Sequence, residues 1–288
     1  MVHSAPAQRD GRVFNEVAAE YDRNRPAYPD ELVDRACVLA GIESGDRVLE
    51  VGCGSGQLTR SLLARGLRVV ALEPGKELIS LARQNLTCRG EVEFVNAPFE
   101  DADLPRERYR AVFSASAFHW IDPDVSWNKA ARLLASSGTL ALIQYCGLQD
   151  RSISDDQRAL LSAMARLAPE LAAGWPAYRG LTAIVAGFDR RRGNVSEAWA
   201  WIGSHDVARA DAARLFGEVQ IATMPTVVQH TADELNDLVR TASFYRRLSP
   251  DRREALENEH VAIYERLGRR IRSSLVAVLV TARRTDAG

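Results

Sequence analysis

The stretch RVLEVGCGSGQLT, Arg47 to Thr59, decides how the rest of the chain is read. Val48 and Leu49 open a short apolar run, Glu50 and Val51 close it, and Gly52, Gly54 and Gly56 follow at alternate positions. That order predicts a buried strand, a glycine-dense turn and then a helix. Residues without a side chain let the backbone bend sharply and let a ligand come close to it. Leu58, Leu62 and Leu63 recur on one face of a helix that begins at Gln57. The peptide N–H groups of the turn and of the helix start are then directed at whatever lies beyond the strand's carboxyl end.

The turn constrains that ligand. A dinucleotide fingerprint reads G-x-G-x-x-G, and its third glycine would fall where Gln57 stands. The pattern here is E-x-G-x-G, with Glu50 just before the turn. A carboxylate repels a pyrophosphate and suits an ammonium group. At the end of the next apolar run, LRVVAL, comes Glu73, placed to accept two ribose hydroxyls. A ribose and an ammonium without a phosphate describe S-adenosylmethionine better than NAD.

With these residues in view, the chain resembles the class I S-adenosylmethionine-dependent methyltransferases. Within them it is most similar to the small-molecule branch described as type 11 or trans-aconitate-methyltransferase-like. The resemblance rests on FNEVAAEYDRNRPAYP (Phe14 to Pro29), VLEVGCGSGQLT, VVALEPGKEL (Val69 to Leu78) and AVFSASAFHW (Ala111 to Trp120), in that order along about the first half of the chain. It implies a Rossmann-like α/β fold with a mostly parallel seven-stranded sheet, an antiparallel last strand, helices on both faces and a helical cap. It also implies S-adenosyl-L-methionine as cofactor and S-adenosyl-L-homocysteine as product.

Composition sets the outer bounds. The 288 residues, 46% of them apolar, are enough for a substantial core. A net charge of −1 gives no electrostatic case for nucleic acid or an anionic membrane. Arg246-Arg247 and Arg269-Arg270 lie among acids and read as solvated helix faces. The four cysteines, Cys37, Cys53, Cys88 and Cys146, show neither metal spacing nor disulfide density, so no metal and a reducing cytoplasm are expected. The N-terminus shows no apolar core of signal-peptide length, and no stretch is long enough to span a membrane.

Along the chain, helical spacing of Phe14, Val17, Ala18 and Tyr21 predicts a short amino-terminal helix, about residues 12–25, which the resemblance makes a cover over the cofactor. Pro29 can open a helix that ends at Gly41. Strands are expected at Leu67–Glu73, Val92–Asn96, Tyr109–Ser114 and Thr139–Tyr145, with helices at Lys76–Leu86 and Val125–Leu134. Strands alternating with helices mean a parallel sheet, with ligands at its carboxyl edge. After Gly147, Ser154 with Gln157 reads as a capping box, as does Thr231 with Glu234. Between them an irregular aromatic region holds Trp175, Tyr178, Trp199 and Trp201, and a long strand is expected at Glu218–Gln229. A helix from Ser249-Pro250 to about Leu267 and a closing strand, Leu275–Val280, follow; the resemblance inserts that strand antiparallel between the two preceding ones. One domain of 1–288 is expected. Its core covers about 30–146, 215–230 and 271–284, and its cap insertions about 147–214 and 231–270.

Each candidate site residue has a competing reading. Glu50 is expected to hold the methionine ammonium directly or through water. Gly52 and Gly54 give the methionine room, with Cys53, Gln57 and Pro74 on the same rim, and Glu73 takes the ribose. The resemblance places the adenine near Pro98 and Phe99, where Phe99 is as readily a core residue. Asn96-Ala97 departs there from the acid frequent in the family. Ser114, Ala115 and Ser116 leave space at the next strand end, where no Asn/Asp-Pro-Pro-aromatic motif of amino-directed nucleic-acid methyltransferases stands.

His119 could accept a proton from the acceptor or serve only as a structural ring, and Trp120 could wall the pocket. Tyr21 could reach cofactor or substrate and is a second catalytic candidate. Arg25 could pair with a substrate carboxylate. Tyr145, Trp201, Thr241 and Tyr245 complete the expected substrate wall, against the reading of aromatics as core. The reaction expected is O-, C- or N-methylation of a small molecule by in-line displacement, with secondary-metabolite tailoring as one setting. A non-catalytic cofactor-binding protein that acts through partners, and a nicotinamide oxidoreductase, are the alternatives. A homo-oligomer stays open.

Overall fold

The computed structural model describes residues 27–169, 178–240, 245 and 248–286. The expected amino-terminal helix, with Tyr21 and Arg25, lies outside the described residues, and so do Trp175 and Thr241.

Seven strands form one sheet: β1 (Arg47–Val51), β2 (Arg68–Leu72), β3 (Val92–Val95), β4 (Tyr109–Ala115), β5 (Leu134–Gly147), β6 (Gln220–His230) and β7 (Ile271–Arg283), in the order β3-β2-β1-β4-β5-β7-β6. The first five pair in parallel. β7 runs antiparallel between β5 and β6. Chain order reverses between β1 and β4, so a crevice opens beyond their carboxyl ends, where α/β sheets bind ligands.

Helices cover both faces. α1 (Asp30–Ala40) has Asp30 and Glu31 in its first turn, which suits the helix dipole, and stops at Gly41, whose φ of 62° is left-handed. It packs with α2 (Gln57–Ala64) on one face, where Leu32, Val33, Leu58 and Leu62 meet Val48, Val69, Ala71 and Phe113. α3 (Lys76–Asn85) follows β2. On the other face α4 (Pro123–Leu133), capped by the Asp122 carboxylate, sets Trp127 and Ala130 against Leu49, Val51, Val112 and Leu142. Neighbours along a strand face opposite sides, and β1 obeys this: Val48 belongs to the α2 face, Leu49 and Val51 to the α4 face.

Beyond β5 come α5 (Ser154–Leu167), α6 (Leu181–Asp189), α7 (Val195–Gly203) and a short α8 (Ala212–Leu215). Beyond β6 come α9 (Ala232–Arg240) and α10 (Pro250–Arg266). Two expectations are corrected here. The region around Trp199 and Trp201 is helical, because Asn194 caps α7 by accepting the Ser196 N–H at 2.9 Å. Ser154 and Gln157 form no capping box: Ser154 begins the helix without a side-chain cap, while Gln157 donates to the Leu148 carbonyl at 2.6 Å. The Thr231–Glu234 box does form, with reciprocal bonds of 2.7 and 3.2 Å.

Candidate functional site

The glycine turn hangs on the end of β2. The N–H groups of Gly52 and Cys53 donate to the Leu72 carbonyl at 2.8 and 3.0 Å, one residue before Glu73. Gly52, Gly54 and Gly56 have φ of 74°, 55° and 89°, a region in which only glycine is unstrained. A Cβ on Gly52 would lie 2.3 Å from the Ala117 Cβ. That contact brings the β1 turn against the exit of β4.

Glu73 joins the two rims. Its carboxylate accepts the Gly54 N–H at 3.0 Å on one oxygen and the Gly75 N–H at 2.9 Å on the other. Burial pushes its pKa up, against the pull of the two peptide N–H groups, Gly75 first and then Gly54. A carboxylate has about four acceptor positions, and two are used, so both oxygens can still take a hydroxyl. The residues present therefore fit a ribose. Asn96 clamps the neighbouring strand end by donating to the Glu73 and Pro74 carbonyls at 2.8 and 3.2 Å. Gln57 is the first residue of α2, and Pro74 is partly exposed on the rim.

Strand alternation puts Glu50 on the α2 face, 1% exposed, where its carboxylate accepts the Thr59 hydroxyl at 2.6 Å. Burial raises its pKa to about 8; the Thr59 bond opposes that rise and the charge of Glu73 adds to it. At neutral pH the buried carboxyl is mostly uncharged, with one oxygen held by Thr59. Cys53 is likewise buried, its thiol raised well above its ordinary value by desolvation first and then by Glu50 and Glu73. It is a filler of the turn and no nucleophile.

At the β4 exit, Ser114 is fully buried and donates to the Val51 carbonyl at 2.8 Å, so it stitches strands instead of facing a ligand. Ala115 ends the strand, and Ser116 turns the chain with φ of 54°. The Tyr28 hydroxyl donates to Ser116 Oγ at 3.0 Å, and its ring stacks on Tyr145 at 5.7 Å and 13°. The Tyr145 hydroxyl in turn donates to the Ala27 carbonyl at 2.7 Å.

The 3-10 turn Phe118–Trp120 is anchored by Phe118, buried edge-on against Trp127 at 4.8 Å. His119 follows, with Trp120 5.2 Å away and the His205 ring parallel to it at 3.9 Å. Burial, and then His205, hold His119 well below its usual pKa. The ring is therefore neutral, and a weaker proton acceptor than a free imidazole.

Other expected residues are placed elsewhere. Pro98 opens the turn after β3, accepting from Asp101 and Ala102, but Phe99 is core, 3% exposed, with the Lys129 ammonium 5.4 Å from its ring centre. Trp201 packs inside the cap, edge-on to Phe188 at 5.3 Å and flanked by the guanidinium groups of Arg179 and Arg191 at 4.7 and 4.8 Å. Tyr245 is buried with Leu248 and Leu256 and donates to Glu257. An open groove of about 410 Å³ between α5 and α10, lined by Arg158, Arg166 and Glu259 among others, shares no residue with the turn. The residues that sequence reasoning missed are Tyr28, Thr59 and His205. Tyr28 stood inside a quoted motif and Thr59 one turn along α2, whereas nothing local marks His205.

A sheet of this order with an acid-tied glycine turn at its reversal point defines a Rossmann-like methyltransferase fold. Solved structures share it. A chain from Anaeromyxobacter dehalogenans with a type II methyltransferase designation aligns over 90% of this chain and 97% of its own, at TM-score 0.59 and 22% identity. A Thiobacillus denitrificans S-adenosylmethionine-dependent methyltransferase, solved with S-adenosyl-L-homocysteine, aligns over 95% and 98%, at TM-score 0.53 and 13% identity. Residues 49–142 of this chain match the family model described as a methyltransferase domain. An uncharacterized methyltransferase of Mycobacterium tuberculosis is 35% identical over 134 residues, 45% of this chain and 51% of that one. A probable S-adenosylmethionine-dependent methyltransferase of Saccharomyces cerevisiae is 30% identical over 134 residues, 44% and 45%. The chain thus spans about half the length of the curated relatives it matches. Among the described residues no helix is long and apolar enough to cross a membrane, and no group of side chains could hold a metal ion.

Proposed function

We propose that this chain transfers the methyl group of S-adenosyl-L-methionine to a small-molecule acceptor. The observation that carries the reading is Glu73, which directly follows β2 beside the reversal of strand order, is tied to the glycine turn through Gly54, and keeps acceptor capacity for a ribose diol. The matched methyltransferase domain over residues 49–142 supports it. So do the printed descriptions of the relatives and the S-adenosyl-L-homocysteine in the Thiobacillus structure.

When bound, the cofactor supplies a methyl group on a sulfonium, whose C–S electron pair returns to sulfur as the acceptor attacks. The chain's own contributions follow from the geometry. Gly52 and Gly54 leave the turn bare for the amino-acid moiety, Glu73 holds the sugar, and the turn opened by Pro98 receives the base. The Ser116–Trp120 segment faces the acceptor side, with neutral His119 available for its proton. Tyr28 and Tyr145 brace that segment from the opposite side. Positioning of this kind supplies most of a displacement's acceleration, roughly 7–11 kcal/mol in favourable cases. A charge of −1 and the absence of an amino-directed nucleic-acid motif favour a small acceptor.

Calorimetric titration with S-adenosyl-L-homocysteine tests this. The wild type is expected to bind. Gly54→Asp, which sets a carboxylate against Glu73 at φ of 55°, is expected to abolish binding, while His119→Ala leaves it within about twofold. Release of S-adenosyl-L-homocysteine across a metabolite panel then identifies the acceptor. No binding by the wild type, or normal binding by Gly54→Asp, overturns the reading.

A further inference from the structure

The geometry points to His205 as a positioning residue for His119: the cap, through the end of α7, holds flat the ring that faces the acceptor. This rests on the methyl-transfer reading for its chemistry, though not for its geometry.

The two rings come from distant parts of the chain. His119 sits in the turn after β4; His205 follows Gly203, the last residue of α7, and Ser204, whose φ of 54° reverses the chain. The rings stack at 3.9 Å and 8°. Trp199, one turn back on α7 and fully buried, lies 6.5 Å from His119. The His205 N–H donates to the Ala200 carbonyl at 2.9 Å, which fixes the loop that carries it. Helix α7 is also tied to β5, since the Cys146 thiol meets the Ile202 carbonyl at 3.9 Å.

This arrangement has two chemical effects. Among the described residues the Nδ1 of His119 is buried without a hydrogen-bond partner, so any proton exchanged with the acceptor is assigned to Nε2. The ring above excludes water from one face. His205 is the one titratable group that bears on His119 among the described residues, and burial itself takes His205 down to about pKa 4. Neither ring carries charge near neutrality, so the stack is not broken by repulsion. A ring held in one plane presents its lone pair along one direction, so a proton leaving the acceptor meets a fixed target.

The structure also supplies a way to move His205 without deleting it. A Cβ on Gly203 would fall 2.2 Å from the His205 Nε2, at the far end of a side chain that can swing away. Gly203→Ala adds a helix-favouring residue at a helix end and is expected to fold. The experiment is long-range proton–nitrogen NMR of the histidine rings in the full chain between pH 4 and 8, with His119 assigned through His119→Gln. In the wild type His119 is expected to stay in one neutral tautomer down to pH 5. In His205→Ala and Gly203→Ala water reaches the ring, and its titration midpoint is expected to rise by at least one unit toward the ordinary value of about 6.5. His205→Phe keeps a ring in the stack and is expected to retain the wild-type titration. An unshifted His119 in both folded variants, His205→Ala and Gly203→Ala, overturns the proposal. Failure of the wild type to bind S-adenosyl-L-homocysteine overturns the methyl-transfer reading instead and leaves the ring titration as an independent result. Once an acceptor is known, the acidic limb of the kcat/KM profile should move with the His119 midpoint, while affinity for S-adenosyl-L-homocysteine stays within about twofold.

Discussion

Glu50 and Glu73 stand at the ends of adjacent strands, and both were legible as acids flanking a bare turn. Their directions were not. Alternation along β1 makes Glu50 share a face with Val48, beneath α2, so its carboxyl meets Thr59 before it could meet a ligand. Burial raises it from 4.5 to about 8, so the folded chain keeps a proton that the unfolded chain gives up. Between about pH 4.5 and 8 stability therefore falls as pH rises, because the folded state binds more protons there. Glu50→Gln keeps an acceptor for Thr59 and removes the titration. At pH 4 its melting temperature is expected to match the wild type. At pH 8 it is expected to be higher, since each pKa unit is worth roughly 1.4 kcal/mol and the gain reaches a few kcal/mol. Thermal unfolding at the two pH values measures this, and equal melting temperatures at pH 8 would contradict a buried, proton-retaining Glu50.

Elements were legible where one physical signal acted alone. Continuous apolar runs gave β1, β2 and β4, because strands covered on both faces need no alternation. The helices of the cap were harder. α6 and α7 have nine residues each and are apolar on more than one face, since Trp199 enters the main core while Trp201 packs on Phe188. The capping boxes show the same competition. Thr231 and Glu234 satisfy each other's backbone N–H groups, whereas Gln157, in the equivalent spacing after Ser154, is recruited by the Leu148 carbonyl and the Asp150 N–H. A tertiary partner outcompetes a local one that the sequence pattern alone favours. Thr231→Ala is expected to cost about 1 kcal/mol, and Ser154→Ala less than about 0.5 kcal/mol. Urea unfolding of the two variants, with unchanged slope, separates a working cap from a spacing that only resembles one.

At the scale of the molecule, the two insertions attach to the sheet differently. The first is continuous with the main core: Ile184, Phe188, Val195, Trp199 and Ile202 join the cluster that holds Leu49, Val112, Trp127 and Leu142, and the Trp127 indole donates to the Val207 carbonyl at 2.9 Å. The second, α9 and α10, packs with α5 in two small clusters centred on Leu235 with Ile263 and on Leu248 with Leu256. Regions with few buried apolar contacts open below the free energy of global unfolding. Amide exchange in α9 and α10 is therefore expected to proceed by local opening, and in α7 only with the whole sheet. Trp199→Ala removes a large, fully buried side chain and should cost about 3–5 kcal/mol, lowering protection in β1, β4 and β5 together. Leu235→Ala should speed exchange in α9 and α10 and leave those strands protected. Hydrogen exchange read by mass spectrometry on both variants decides it. If Trp199→Ala loosened only the cap, α7 would not share the sheet's core, and the ring that it sets over His119 would lack the rigid support that the packing gives it.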